Sequence, residues 1–249
     1  MRYILSVVAR LSSVLLLTYI LPAQDPHVLF TVEVAQRFSL AEPVVIKLRV
    51  ANESPQPLEV DFGGANAERF EFELTRPGGS IDTIRPLGRS GVDDTGVRRL
   101  KPGGRDESWI VLDEWTQISA SGPYRLVTRF SGTVSTLGRA VAVPRVFRHT
   151  LDVTPRNQGA LAEKAGRLGH LTESLETETK AILALSYLRD PVAVPYLQRM
   201  AQSSPWPSTA INGLVRIGGP EARAALGALS QHSDPTTASM AKAGLLMIK

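Results

Sequence analysis

The chain has no cysteine among its 249 residues. That excludes disulfides, thiolate metal sites, a cysteine nucleophile and lipid attachment through a cysteine, so stability has to come from burial alone. It also lacks a strong charge of one sign. The formal net charge is +4, but the 28 Lys+Arg include Arg2 and Arg10 of an N-terminal leader. Without them 26 stand against 24 Asp+Glu, and the remainder is only +2. A concentrated basic footprint for nucleic acid is therefore missing, and none is expected as a partner. After residue 23 there is no apolar run long enough to cross a bilayer.

The leader is present and legible. Arg2 and Arg10 precede the apolar run LSSVLLLTYILPA, which is too short to span at about 20 residues and ends beside small Ala23. This layout predicts a secretory signal peptide over residues 1–23, with cleavage near Ala23 and a secreted or periplasmic product. A retained N-terminal anchor is the alternative.

From residue 24 to 155 the apolar pattern has period two. Val44, Ile46, Leu48 and Val50 alternate with Val45, Lys47, Arg49 and Ala51, and Phe70, Phe72 and Leu74 with Glu71 and Glu73. Successive strand side chains point to opposite faces, so one row is expected in a core and the other mostly in water. Further strands are expected at Phe30–Val34, PLEV (57–60), Ile110–Leu112, from Tyr124, and at HTLDV (149–153). NESPQP, RPGGS, KPGGR and SASGP between them mark turns. Many short strands without crossover helices predict an antiparallel β-sandwich.

Past Arg156 the period changes. Ala181-x-x-Ala184-Leu185-x-x-Leu188, Ala210-x-x-Gly213-Leu214-x-x-Ile217 and Ala241-x-x-Gly244-Leu245-x-x-Ile248 follow one another at offsets of 29 and 31 residues. Each is an i, i+3, i+4, i+7 stripe on a helix, with a small residue where another backbone comes close. Asp190-Pro191, Gly219-Pro220 and Asp234-Pro235 are expected to open helices, because proline at the first helical position loses no intrahelical bond and aspartate caps free amides. Pro195 is expected in the second turn of its helix, kinking it. Residues 156–177 read as a linker and a capping helix on Leu161, Ala165, Leu168 and Leu171, and residues 178–249 as the repeats.

These two patterns carry two resemblances. EPVVIKLRVANESPQPLEV early and Gly122-Pro123-Tyr124 late resemble the Ig-like or fibronectin-like modules of exported bacterial proteins. Tyr124 looks like a tyrosine corner, whose hydroxyl bonds back to the backbone. The stripes and joints of 178–249 resemble short bacterial HEAT-like, armadillo-type repeats. The fold class implied is an antiparallel Ig-like β-sandwich followed by a short α-solenoid of antiparallel helix pairs.

Candidate chemistry is sparse, and no cofactor motif stands out. The four histidines are scattered; only His170 and Glu173 share a helical i, i+3 spacing, and two ligands do not make a metal site. DFGG at 61–64 lacks the phosphate loop and catalytic loop of a kinase, and Ser90 lacks G-x-S-x-G spacing. Asn52-Glu53-Ser54 fits a glycosylation sequon but sits where turn chemistry is expected. Trp109 is expected on the strand face opposite Ile110, covering a junction or binding a partner. The expectation is a non-enzymatic binding or scaffold protein with a protein partner, recognised by residues off the helical stripe: Leu183, Tyr187, Asn212, Arg216 and Met247. The alternative is an Ig-like module that binds a protein, peptidase or glycan through loop 85–105, with Arg85, Arg89, Arg98, Arg99, Lys101 and Arg105 gripping an anion. An enzyme built from carboxylates at the domain junction is the third reading, and no acid pair has a diagnostic setting for it.

Overall fold

The computed structural model describes residues 27–63, 67–86, 96–171, 174–203 and 205–248. The leader, Arg89, Ser90 and Glu173 lie outside the described residues. Among the described residues, no helix is long and apolar enough to cross a membrane.

The first part is a β region. β1 (Val28–Val34), β3 (Val45–Asn52) and β8 (Arg105–Val111) form a three-stranded sheet in the order β1-β3-β8. β4 (Leu58–Asp61), β7 (Val97–Leu100), β10 (Val134–Thr136) and β11 (Arg139–Ala140) form a second, ordered β11-β10-β4-β7. β2 (Arg37–Ser39), β5 (Phe70–Thr75), β6 (Ile81–Ile84), β9 (Gly122–Phe130) and β12 (Val146–Thr154) form the third, ordered β2-β12-β9-β5-β6. Pairing is antiparallel except between β2 and β12.

The expected in-facing rows do meet in one core. Ile46, Leu48 and Val50 of β3 are buried with Phe72 and Leu74 of β5, Leu126 of β9 and Leu151 of β12. Phe130 anchors it, with ring centroids 4.8 Å from Phe30 and 5.0 Å from Phe70. Tyr124 is buried and its hydroxyl donates to the Ala120 carbonyl at 2.9 Å, the bond back to the backbone expected from the Gly-Pro-Tyr stretch. Asn52 is buried too. Its amide donates to the Gln56 and Leu100 carbonyls and its Oδ1 accepts from Ser54, so the sequon residues are engaged in turn chemistry.

Six helices follow. α1 (Gln158–Gly169) is capped by Asn157 and α2 (Leu175–Ser186) by Ser174. A 3-10 turn at Pro191–Ala193, capped by Asp190, leads into α3 (Val194–Ser203). α4 (Pro207–Ile217), α5 (Gly219–Leu229) and α6 (Pro235–Met247) complete the chain, with Asp234 accepting from the Thr236 and Thr237 amides. Gly218 and Gly219 have φ of 65° and 75°, a left-handed pair that turns the chain sharply between α4 and α5 and that β-carbons would strain.

α2, α4 and α6 carry the three apolar stripes and pack side by side, α2 on α4 and α4 on α6, while α3 packs on α5. Ala181, Leu185, Ala210, Leu214 and Ala241 are fully buried in that packing, as are Leu197 and Leu226 on the intervening helices. One sequence expectation needs correction. Pro195 lies in the first turn of α3, where its missing amide costs little, because the preceding turn is 3-10 and the α-helix begins only at Val194. The three joints each open a helix as expected, Asp234-Pro235 a stripe-bearing one and Asp190-Pro191, through its 3-10 turn, and Gly219-Pro220 the intervening ones.

The small residue in the second stripe has a steric reason. A Cβ on Gly213 would lie 2.8 Å from the Ser186 Cα and 3.0 Å from Leu197 Cδ1, so α2 and α4 touch through backbone there. Gly227 in α5 has nothing within 4 Å of such a carbon. Gly213→Ala is therefore expected to destabilise by about 1–3 kcal/mol through overpacking. Gly227→Ala is expected to be neutral or to stabilise by up to about 1 kcal/mol through helix propensity. Urea unfolding of both variants measures the difference; equal midpoints would refute the close helix contact.

Candidate functional site

The residues that could do chemistry gather where the helices meet the β region. β3 and β8 place Val45 opposite Val111, both on the face turned away from the β core. Both are nonetheless buried, because they belong to the apolar cluster of the helices. Trp109 packs on the same cluster, its indole donating to Glu107 at 2.7 Å and Lys47 Nζ lying 4.9 Å from its ring centroid. Of the two roles expected for Trp109, covering the junction is the one its packing fills.

Polar contacts clamp the same seam. Lys164 of α1 pairs with Glu42 at 3.1 Å, and Arg156 pairs at 2.6 Å with Asp190, whose side chain is 1% exposed. The Asn157 amide donates to Ser39 Oγ at 2.7 Å and the Arg189 amide to the Ala41 carbonyl at 3.2 Å. Lys180 of α2 donates to the Glu107 carbonyl. Burial works to raise the Glu107 carboxyl, but hydrogen bonds from Trp109 and Arg49 outweigh it and hold the group below the ordinary carboxylate range.

A cleft of about 220 Å³ opens in this seam. Its walls are Phe38, Leu40, Val44 and Ile118 from the β side, and its polar groups are Glu42, Asp113, Gln117, Ser119, Tyr187 and Arg189. Asp113 follows β8 in a short 3-10 turn (Leu112–Glu114), and its carboxylate accepts from the Val44 amide at 2.7 Å. Burial pushes this carboxyl up to about 6, against the pull of the Val44 hydrogen bond and of the Arg189 charge. Arg189 makes no side-chain hydrogen bond to a described residue, and its Nε is buried without a partner. A second cleft of about 320 Å³ lies nearby, floored by Val45, Trp109, Leu168 and Leu171 and rimmed by Lys47, Lys164 and Arg167.

The residues expected from the sequence are distributed differently from the expectation. Leu183 is half-buried against the helical cluster and Tyr187 is buried, so neither joins an outward ridge. The physical reason is that α2 is covered on both sides, by α4 and by the β region through β8. Asn212 and Arg216 are exposed on α4, and Met247 is exposed at the end of α6. Tyr187 and Arg216 do come together. The guanidinium lies 4.1 Å from the Tyr187 ring centroid and donates to its hydroxyl at 3.1 Å. The described arginines of loop 85–105 do not converge. Arg85 follows β6 and pairs with Glu71 at 2.6 Å, Arg99 of β7 pairs with Glu59 at 2.8 Å, and Arg105 begins β8, each in a different sheet. Arg98 is next to Arg99 in β7, and Lys101 is exposed in the following turn. His170 sits edge-on to Tyr196 with centroids 6.0 Å apart. Asp113 and Arg189 carried no spacing signal, since they come from distant turns that only the docking of the two regions brings together.

No protein-family model matches the chain, and no curated protein matches it. Among solved structures, a β-glucosidase from Listeria innocua is 11% identical over 51% of this chain and 16% of its own length, at a TM-score of 0.30. The CARDB domain of a Pyrococcus furiosus protein, crystallised with di-metal ions, is 11% identical over 53% of this chain and 93% of its own, at 0.26. An alkylpurine DNA glycosylase from Pseudomonas fluorescens, bound to DNA containing an abasic site analog, is 12% identical over 51% and 31%, at 0.25. The chain thus spans only a small part of the glucosidase. At TM-scores this low, none of these likenesses bears on ligand or activity.

Asp113 makes stability depend on pH. Its carboxyl binds a proton more tightly folded than unfolded, where 3.8 is its ordinary value, so its stabilising contribution is full below about pH 4 and is lost as the pH rises through about 6. Asp113→Asn keeps an oxygen for the Val44 amide and carries no charge. It is expected to raise stability at about pH 7.5 by about 1–3 kcal/mol and to change it little at about pH 4. Thermal melts across this range check the sign; a variant less stable at neutral pH would show that Asp113 is held as a favourable ion.

Proposed function

We propose that the chain is an exported, non-enzymatic binding or scaffold protein, an Ig-like sandwich followed by a short HEAT-like array whose outward surface meets a protein partner. The array reading rests on contacts that fall near the repeat offset. Arg216 reaches Tyr187 and Ser186 at separations of 29 and 30 residues. A Cβ on Gly244 would meet Val215 and Ile211 on α4. An array of this kind repeats its off-stripe residues along one surface, which is how such repeats bind.

The observation that carries the binding role is the end of α6, where Leu246 and Met247 are 89% and 69% exposed. Two adjacent large apolar side chains in water gain nothing from folding, which favours a contact at this end of the helices. Asn212 on α4 adds a polar group to the same array. The loop reading has less support, because Arg85 and Arg99 already have carboxylate partners.

The test is capture from a cell-envelope extract by the mature chain and two variants. Leu246→Asp with Met247→Ser and Asn212→Ala is expected to lower recovery of the partner about tenfold, while Arg98→Ala with Arg99→Ala leaves it unchanged. Loss in the loop variant alone would transfer the function to the β region. Recovery unchanged in both would refute the surface.

A further inference from the structure

We propose that the seam cleft is a binding site for a small carboxylate on an apolar stem, with Arg189 gripping the carboxylate and Asp113 sharing a proton with it. The starting point is the guanidinium. Buried donors in folded chains nearly always find acceptors, and other part-sheltered arginines here do: Arg76 pairs with Asp82 at 2.6 Å and Arg129 with Glu73 at 2.7 Å. Arg189 lines an open cleft with its Nε buried and unpartnered.

The two nearby acids cannot serve it. Glu42 is taken by Lys164 and by the Ser39 amide. Asp113 accepts from the Val44 amide and forms no ion pair with Arg189, although the two charges attract. No described residue supplies the acceptor, and the open cleft leaves room for one from another molecule. A planar carboxylate matches the guanidinium fork, whereas a phosphate dianion would meet one arginine against a neighbouring acid. The remaining wall is Phe38, Leu40, Val44 and Ile118, which sets the apolar stem. About 220 Å³ is below the ~300–1,000 Å³ of sites for drug-sized ligands, so the occupant is a small acid or the last residue of a peptide.

Two carboxyls this close share one proton. Asp113, raised to about 6 by burial, supplies it under mildly acidic conditions. The other ionisable groups of the cleft are Arg189, Glu42, held by Lys164, and Tyr187, held by Arg216. Binding should therefore weaken about tenfold or more between about pH 5 and about pH 7.5.

The experiment is calorimetric titration of the full chain with two acids, each against its amide. Isovalerate represents a free metabolite and a tripeptide ending in leucine represents a chain terminus. Either acid binding while its amide does not is the expected result, and which acid binds identifies the source. Arg189→Gln is expected to weaken binding at least about tenfold. Arg189→Lys, which keeps the charge, should fall between, with circular dichroism confirming that both variants fold. Asp113→Asn should bind and lose the pH dependence. Amides binding as well as acids, undiminished binding by Arg189→Gln, or no saturable binding up to about 10 mM acid, which is weaker than the millimolar scale of a useful site, would each overturn the proposal. Capture of a protein through α6 tests a different surface, and either result can stand without the other.

Discussion

The structure turns on the burial of the wrong side of a strand pair. Val45 and Val111 face each other across the β3–β8 ladder and point away from the β core, yet they are 9% and 1% exposed. Only the helices make that possible. Fully burying a valine contributes about 1.5–3 kcal/mol relative to leaving it in water, so this pair with Trp109 supplies several kcal/mol to the union of the two regions. The polar clamps act on the same seam but differ in kind. Removing Arg156 would strand the nearly fully buried Asp190 carboxylate, whose loss of a partner costs more than the pair contributes when intact. Apolar contact therefore holds the regions together, and the ion pairs fix how they sit.

That division explains the shape of the helical part. An isolated set of six short helices buries few layers, and α1 and α2 would present apolar faces to water at the start of the helical part. Here that first face has a cover, because α2 reaches β8 and α1 leans on the 3-10 turn at Pro191–Ala193. α6 has α4 and α5 behind it and Leu246 and Met247 in solvent. One end of the helical part is closed by the chain's own sheet and the other shows an apolar tip.

Much of the architecture was legible because periodicity reports which faces are covered. Phe70-Phe72-Leu74 fell into its strand as read, and the three stripes into α2, α4 and α6 apart from Leu188 and Ile248, which lie just past the helix ends. Val45 and Val111 were not legible as buried, because alternation names two faces and cannot say that both have covers. Tyr187 failed for the same reason: off-stripe marks a residue as facing away from one neighbour, and α2 has two. Pro195 was misjudged because the joint was read as the first turn of an α-helix, when a 3-10 turn intervenes. The cleft was invisible for a further reason. Asp113 and Arg189 sit in separate turns, 76 positions apart in number, and no local pattern encodes the docking that brings them together.

Arg216 stands at the boundary between the two surfaces. It is exposed, and its guanidinium stacks on Tyr187 and donates to the Tyr187 hydroxyl, while Tyr187 lines the cleft beside Arg189. A partner that drew Arg216 outward would remove the cover and the donor from Tyr187. A ligand that engaged Tyr187 would in turn compete for the hydroxyl that holds Arg216. Any coupling carried by this pair is reciprocal by thermodynamic necessity, with the same factor in both directions. Both events draw on one tyrosine, so its sign is set by the ligand: occupation of the cleft and withdrawal of Arg216 oppose each other where the ligand needs the tyrosine held in place, and assist each other where it needs the hydroxyl released.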